Sequence, residues 1–353
     1  MFAPSALPRN VEASFRDLAS ERAATRASAI RDVVRHSLRG DAARARALPL
    51  LERALKDDPE SRVRAEAAIA LADVAAREAL PSLLVAVEDD DPHVRQMALA
   101  AIGEIGDARA TQRLERALRD ERPEVRYQAI IAFARVARDD PAAVISALRV
   151  ALADEDTAIR YIAMRVAEEF QVDGEPLRAP ELLACAERLV EDEGTDVAVV
   201  AGLYLARIGH PRGRAVVLEV VSETRETTEL EDEQACVELT GELAMREAIP
   251  HLERRAWGTR RLLRSLVAFG AGDRASCAWH ARTALATMGH ERARAEIVAD
   301  LSSWRRERRE AAVVAAGRAR MREARGALQT ALQDGGNVDA ALVREALVRL
   351  AVD

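Results

Sequence analysis

Four segments read KDDPESRVRAEAAIAL (56–71), EDDDPHVRQMALAAIG (88–103), RDERPEVRYQAIIAFA (119–134) and ADEDTAIRYIAMRVAE (153–168), and their likeness decides the fold. Each carries an Asp (Asp57, Asp89, Asp120, Asp154), a short break, a β-branched residue followed by Arg (Arg64, Arg95, Arg126, Arg160), and an Ala three residues on (Ala67, Ala98, Ala129, Ala163). The strides from Ala to Ala are 31, 31 and 34 residues, a period that belongs to stacked structural repeats.

Before each Asp runs ALPLLERAL, ALPSLLVAV, ATQRLERAL or VISALRVAL, with apolar residues at the helical period. Pro49 and Pro81 are placed to start these first helices, where a missing N–H costs nothing. Asp91-Pro92 reads as the N-cap and first turn of a second helix, and Val94, Ala98, Ala101, Ile102 and Ile105 as its core-facing side. Gly103 and Gly106 are expected to end it. Such a helical hairpin cannot bury its own apolar face and must stack on its neighbours. The expected fold is therefore all-α, an α-solenoid of about ten stacked hairpins over 1–353.

The Asp, the Val-Arg pair and the following Ala resemble the marker residues of HEAT and HEAT-like (PBS-lyase-type) repeats. The resemblance is clear over 46–170 and diluted beyond it. It implies that the second helices line the concave face of a superhelix and that the marker Asp and Arg tie neighbouring layers together. Residues 1–45 read as a capping hairpin, with Arg26 and Ala29 at the marker spacing but no Val before the Arg. Residues 171–244 hold diverged repeats, with Ala198 where the Arg belongs and Cys236 on the Ala position. Residues 245–353 hold further diverged repeats and a C-terminal cap, with markers at Ala281, Arg309 with Ala312, and Val343-Arg344.

Composition agrees. Aromatic residues make up 3% of the chain, too few for one large globular core but suited to thin helical layers. No run approaches the ~20 apolar residues of a membrane span, and no charged segment followed by an apolar run opens the chain. Cys185, Cys236 and Cys277 are isolated, forming neither a disulfide framework nor a zinc motif, so a reducing, cytoplasmic setting is expected. The net charge is −7, with 6 basic and 17 acidic residues in 173–244 against 20 and 13 in 245–353. Lys56 is the only lysine.

No metalloprotease, phosphate-loop or nucleophile-elbow motif occurs, so no enzyme, cofactor or catalytic residue is expected. Cys277 and His280 share a helical face, but a structural zinc needs four ligands and no second pair is nearby, so no metal is expected. On a helical wheel, positions one, five and eight after the marker Arg point away from the core. In three successive copies they are not the polar residues solvent would select throughout: Tyr127 and Ile131, Tyr161 and Arg165, then Val199 and Leu203. An exposed apolar stripe rimmed by charge marks a partner site. The expected role is a non-enzymatic scaffold or adaptor that binds a protein or peptide along this face, a signalling or small GTPase-type protein or a basic peptide being suitable. The alternative is nucleic-acid binding through Arg260, Arg261, Arg264, Arg305 and Arg309, as on the basic face of HEAT-like alkylpurine glycosylases; the acidic middle disfavours it. The phycobilin lyases share only the repeat.

Overall fold

The computed structural model describes residues 10–74, 77–258, 272–333 and 338–351. Among these it is an all-α repeat solenoid whose helices follow one another in pairs. The first half contains α1 (Val11–Asp17), α2 (Ala23–Ser37), α3 (Asp41–Asp57), α4 (Ser61–Asp73), α5 (Leu80–Ala86), α6 (Pro92–Ile105), α7 (Thr111–Ala117), α8 (Pro123–Val136), α9 (Pro141–Ala151) and α10 (Thr157–Glu169). A two-residue hairpin, Gln171–Val172 with Glu175–Pro176, follows. Then come α11 (Pro180–Leu189), α12 (Thr195–Arg207), α13 (Pro211–Val221), α14 (Leu230–Glu242), α15 (Ile249–Trp257), α16 (Gly272–Thr287), α17 (Glu291–Asp300), α18 (Arg306–Arg318), α19 (Arg325–Gln333) and α20 (Ala340–Ala351). Two compact units, Met1–Cys185 and Ala186–Asp353, divide within α11.

In the first unit the second helix of each pair packs on the next, α2 on α4, α4 on α6, α6 on α8 and α8 on α10. The marker alanines Ala29, Ala67, Ala98, Ala129 and Ala163 are all fully buried at these contacts, where a larger side chain would force the helices apart. Asp91 caps α6 by accepting from the His93 N–H (2.9 Å), and Gly106 ends it in the left-handed conformation. Gly103 does not end α6. It lies inside the helix, where an added Cβ would sit 3.1 Å from the Ala132 Cα, so it sets the approach of α6 to α8. Pro49 likewise does not start a helix. It lies within α3, which begins at Asp41.

The layers are tied by a ladder of arginines. Arg26, Arg64, Arg95 and Arg126 each donate Nε and Nη2 to both carboxylate oxygens of an Asp in the next layer: Asp58 (2.7 and 2.7 Å), Asp89 (2.8 and 2.7 Å), Asp120 (2.9 and 2.8 Å) and Asp154 (2.8 and 2.8 Å). Nη1 of Arg64, Arg95 and Arg126 donates backward to the backbone carbonyl six residues earlier, that of Asp58, Asp89 and Asp120. Each Asp also accepts the N–H two residues on, from Glu60, Asp91, Arg122 and Asp156. One carboxylate thus shapes its own turn and anchors the previous repeat. The ladder Asp of the first copy is Asp58, six residues before Arg64 like the others, and not Asp57, which is the last residue of α3. Arg26 belongs to the ladder although no valine precedes it.

These side chains are only 8–17% exposed, so water screens the pairs weakly. Burial, the largest single influence, would raise the Asp58 and Asp154 carboxyls, but the hydrogen bonds from Arg26 and Arg126, those from the Glu60 and Asp156 N–H groups and the nearby guanidinium charges together outweigh it and hold both below their ordinary value.

In the second unit the ladder changes form. Ala198 is buried, and the Asp position of the following copy is Thr227. Asp196 replaces the lost pair by accepting from Thr227 Oγ1 (2.6 Å), the Thr228 N–H (2.8 Å) and Thr228 Oγ1 (2.6 Å). Gly202 and Gly213 bring α12 and α13 so close that a Cβ on Gly213 would lie 2.1 Å from the Ala206 nitrogen. Hydroxyl contacts and close packing thus occupy the place of the missing arginine. One copy later Glu233 stands at the Arg position and takes a hydrogen bond from Arg255, which also donates to the Val220 and Val221 carbonyls (2.9 Å each). A charge pair is kept there, but its arginine comes from the first helix α15 and not from the Asp position of the next copy.

Candidate partner-binding face

The partly exposed edge of each second helix is set by its packing. Where position eight after the marker is a glycine, second helices touch there: a Cβ on Gly241 would meet the Ala284 Cα at 2.8 Å, and one on Gly317 the Ala346 Cα at 2.9 Å, whereas Ala72 and Ala134 at the same position are half-buried. The wheel phase expected from the sequence is thus wrong at its far end. The open edge runs through positions one, two, five and nine.

In the first unit this edge presents Ile69 on α4, Tyr127 and Ile131 on α8, and Tyr161 on α10. Ile69 is 38% exposed, and the other three are half-buried. Position nine supplies a charged border of Asp73, Glu104, Arg135 and Glu169. Cross-layer pairs Arg31–Glu66 (2.5 Å) and Arg135–Glu104 brace it. Asp73 has a carboxyl raised by burial and by repulsion from Glu104 and Glu66. Ile69, Asp73, Glu104 and Arg135 were absent from the sequence-derived set, although positions five and nine of each copy name them once the phase is known.

Arg165 does not reach freely outward as expected. Its side chain is 17% exposed and pairs with Glu168 (3.7 Å) and Glu169 (2.5 Å) on its own helix. Carboxylates three and four residues on are within reach of its fork. Val199 and Leu203 are not on an exposed stripe at all. Every residue of α12 from Val197 to Ala206 is buried, and these two join a core with Val217, Val220, Val221, Cys236 and Val237.

Of the proposed nucleic-acid set, Arg260, Arg261 and Arg264 lie outside the described residues. Arg305 is exposed and stacks on Trp304 at 4.8 Å, while Arg309 donates to the Ser303 carbonyl as the ladder arginines do. His280 bonds Glu238 (2.6 Å), and Arg318 bonds the same carboxylate, which joins α14, α16 and α18. Cys277 is buried, and no metal-ligating cluster occurs among the described residues. Nor is any described helix long and apolar enough to cross a membrane.

Stacked helix pairs, small residues at their contacts and a periodic Arg–Asp ladder define an α-helical repeat protein. Residues 47–134, about a quarter of the sequence, match the family of HEAT repeats. No curated protein matches it. Similar solved structures include an engineered protein (19% identity over 98% of this chain and 100% of that one, TM-score 0.41). Others are the CpcE–CpcF complex of phycocyanin lyase from Nostoc sp. PCC7120 (20%, 71% and 96%, 0.43) and a designed armadillo repeat protein in complex with the peptide (KR)4 (21%, 57% and 100%, 0.42). Likeness at this level assigns no activity.

Proposed function

We propose that this chain is a binding scaffold that takes a segment of another protein along the second-helix edge of its first unit. The observation that carries the reading is the row of Ile69, Tyr127, Ile131 and Tyr161, partly open on α4, α8 and α10 while the neighbouring position-eight residue Gly103 is buried. An apolar row bordered by charge favours a partner, and tyrosine gives much contact area for little entropy loss. The border chooses the partner's chemistry. Asp73 favours a segment that places a Lys or Arg against α4–α6, since Glu66 and Glu104 are already paired with Arg31 and Arg135 while the Asp73 carboxyl is raised by burial and by its acidic neighbours. Arg165 is already paired and serves to position Glu168 and Glu169.

The test is affinity capture with the intact chain, followed by direct binding of the captured partner to the double variant Tyr127→Ala/Tyr161→Ala. The proposal expects at least a tenfold loss of affinity with unchanged helical content. Full-strength binding of every captured partner to that variant refutes it.

A further inference from the structure

The arginines that matter in the second unit are not those the sequence singles out. Gly317 and Arg318 are the last two residues of α18, Arg320 lies just beyond it, and Arg349 is in the last turn of α20. These four residues line a cleft of about 270 Å³. It exists because Gly317 lets the helices nearly touch: a Cβ there would come within 2.9 Å of the Ala346 Cα. The carbonyls at the end of α18 are spent on backbone bonds, Ala319 N–H to Ala315 (2.8 Å), Met321 N–H to Ala316 (3.0 Å) and Arg320 N–H to Gly317 (3.2 Å). Little of the helix's negative end is left to repel an anion or to hold the guanidiniums.

The charges at the cleft do not balance. Arg318 is bonded to Glu238, and Arg349 to Glu345 (2.8 Å) in an exposed pair on its own helix. Arg320 is exposed and has no ion-pair partner among the described residues. One guanidinium is thus uncompensated, and a second is held by a solvent-exposed pair that competes weakly. We infer that the cleft binds a phosphate group, which brings close to two negative charges and three acceptor oxygens to Arg320 and Arg349, with Arg318 as the fixed wall. A carboxylate, with one charge and two oxygens, matches less well.

The backbone offers a way to separate this role from folding. Arg320 has a φ of 46°, in the left-handed region. The same place after α12 and after α16 is held by Gly209 and Gly289, at 85° and 86°. Ala244 takes the turn after α14, so a side chain is tolerated there, at a strain that glycine avoids. Arg320→Gly therefore removes the guanidinium while relieving the turn.

The experiment is fluorescence anisotropy of a labelled Gly-Ala-phosphoSer-Ala-Gly peptide and its unphosphorylated form on the full chain. Inorganic phosphate and acetate are added as competitors at constant ionic strength. The phosphopeptide alone should bind, phosphate should displace it, and acetate should not. Arg320→Gly should weaken binding at least tenfold with a melting temperature equal to or above that of the parent, whereas Arg344→Ala, exposed on α20, should change affinity less than twofold. No binding of the phosphopeptide, with inorganic phosphate still raising the melting temperature of the parent but not of Arg320→Gly, would assign the cleft to free phosphate. Equal binding of both peptides, undiminished affinity in Arg320→Gly, or acetate competing as well as phosphate would overturn the inference.

Discussion

Replacing Arg126 by Ala removes four charge-assisted hydrogen bonds at once, two to Asp154 at 2.8 Å and one each to the Asp120 (2.9 Å) and Glu121 (3.4 Å) carbonyls. Asp154 then keeps only the Asp156 N–H, inside a pair whose side chains are 12% and 10% exposed. Stranding a charged partner in such a place costs about 3 kcal/mol, water recovering part of the lost bonding. Because each layer contacts its neighbours, the loss should be local. Amide exchange in α8 and α10 should accelerate about 100-fold, since ~1.4 kcal/mol is a factor of ten, while α2 should change little. Asp154→Ala should cost a similar amount. The double variant Arg126→Ala/Asp154→Ala should cost less than the sum by about 2 kcal/mol in urea unfolding. Strict additivity, or a loss below about 0.5 kcal/mol for Arg126→Ala, would show that the ladder does not hold the layers.

Arg165→Ala should cost about 1 kcal/mol in the same assay, because Glu168 is only 4% exposed and loses a charged neighbour; no change would place Arg165 free in solvent. The Asp58 and Asp154 carboxyls titrate below the ordinary 3.8 in the folded chain, so the stabilisation they give is complete above that value and is lost as the pH falls through the lowered one. Melting followed by circular dichroism should therefore show the parent losing stability steeply below pH 3.8, and Arg126→Ala losing less over the same interval. Gly213→Ala would put a Cβ 2.1 Å from the Ala206 nitrogen and 2.5 Å from the Leu205 carbonyl carbon, and should lower the stability of the second unit by about 3 kcal/mol or more.

The repeat was legible because its period is carried by residues that do one physical job each. A buried Ala at every helix contact and a bidentate Arg six residues after an Asp leave the same trace each time. Where two aspartates stand together, as at Asp57-Asp58, the eye takes the first, and only the six-residue distance to Arg64 picks the second. The hairpin after α10 carries its own sign, Asp173-Gly174 at φ of 52° and 80°, the dipeptide suited to a tight two-residue turn. The face was half legible. Tyr127, Ile131 and Tyr161 stand out as apolar residues off the core side, but the burial of position eight where it is a glycine follows from contacts such as Gly103 with Ala132, Gly241 with Ala284 and Gly317 with Ala346, between separate helices that a single-helix wheel does not contain. The burial of Val199 and Leu203 has the same origin, since α12 is packed all round. The joining of Glu238, His280 and Arg318 has no local spacing to betray it, for the bonded residues are 42 and 80 positions apart.

A photo-crosslinking side chain placed at Ile131, on the proposed face, and in parallel at Val85, which is 68% exposed on the first helix α5, tests the central claim most directly. With the captured partner present, the claim predicts a covalent adduct from position 131 and none from position 85. An adduct from position 85 with none from position 131 would place the partner on the first helices and contradict it.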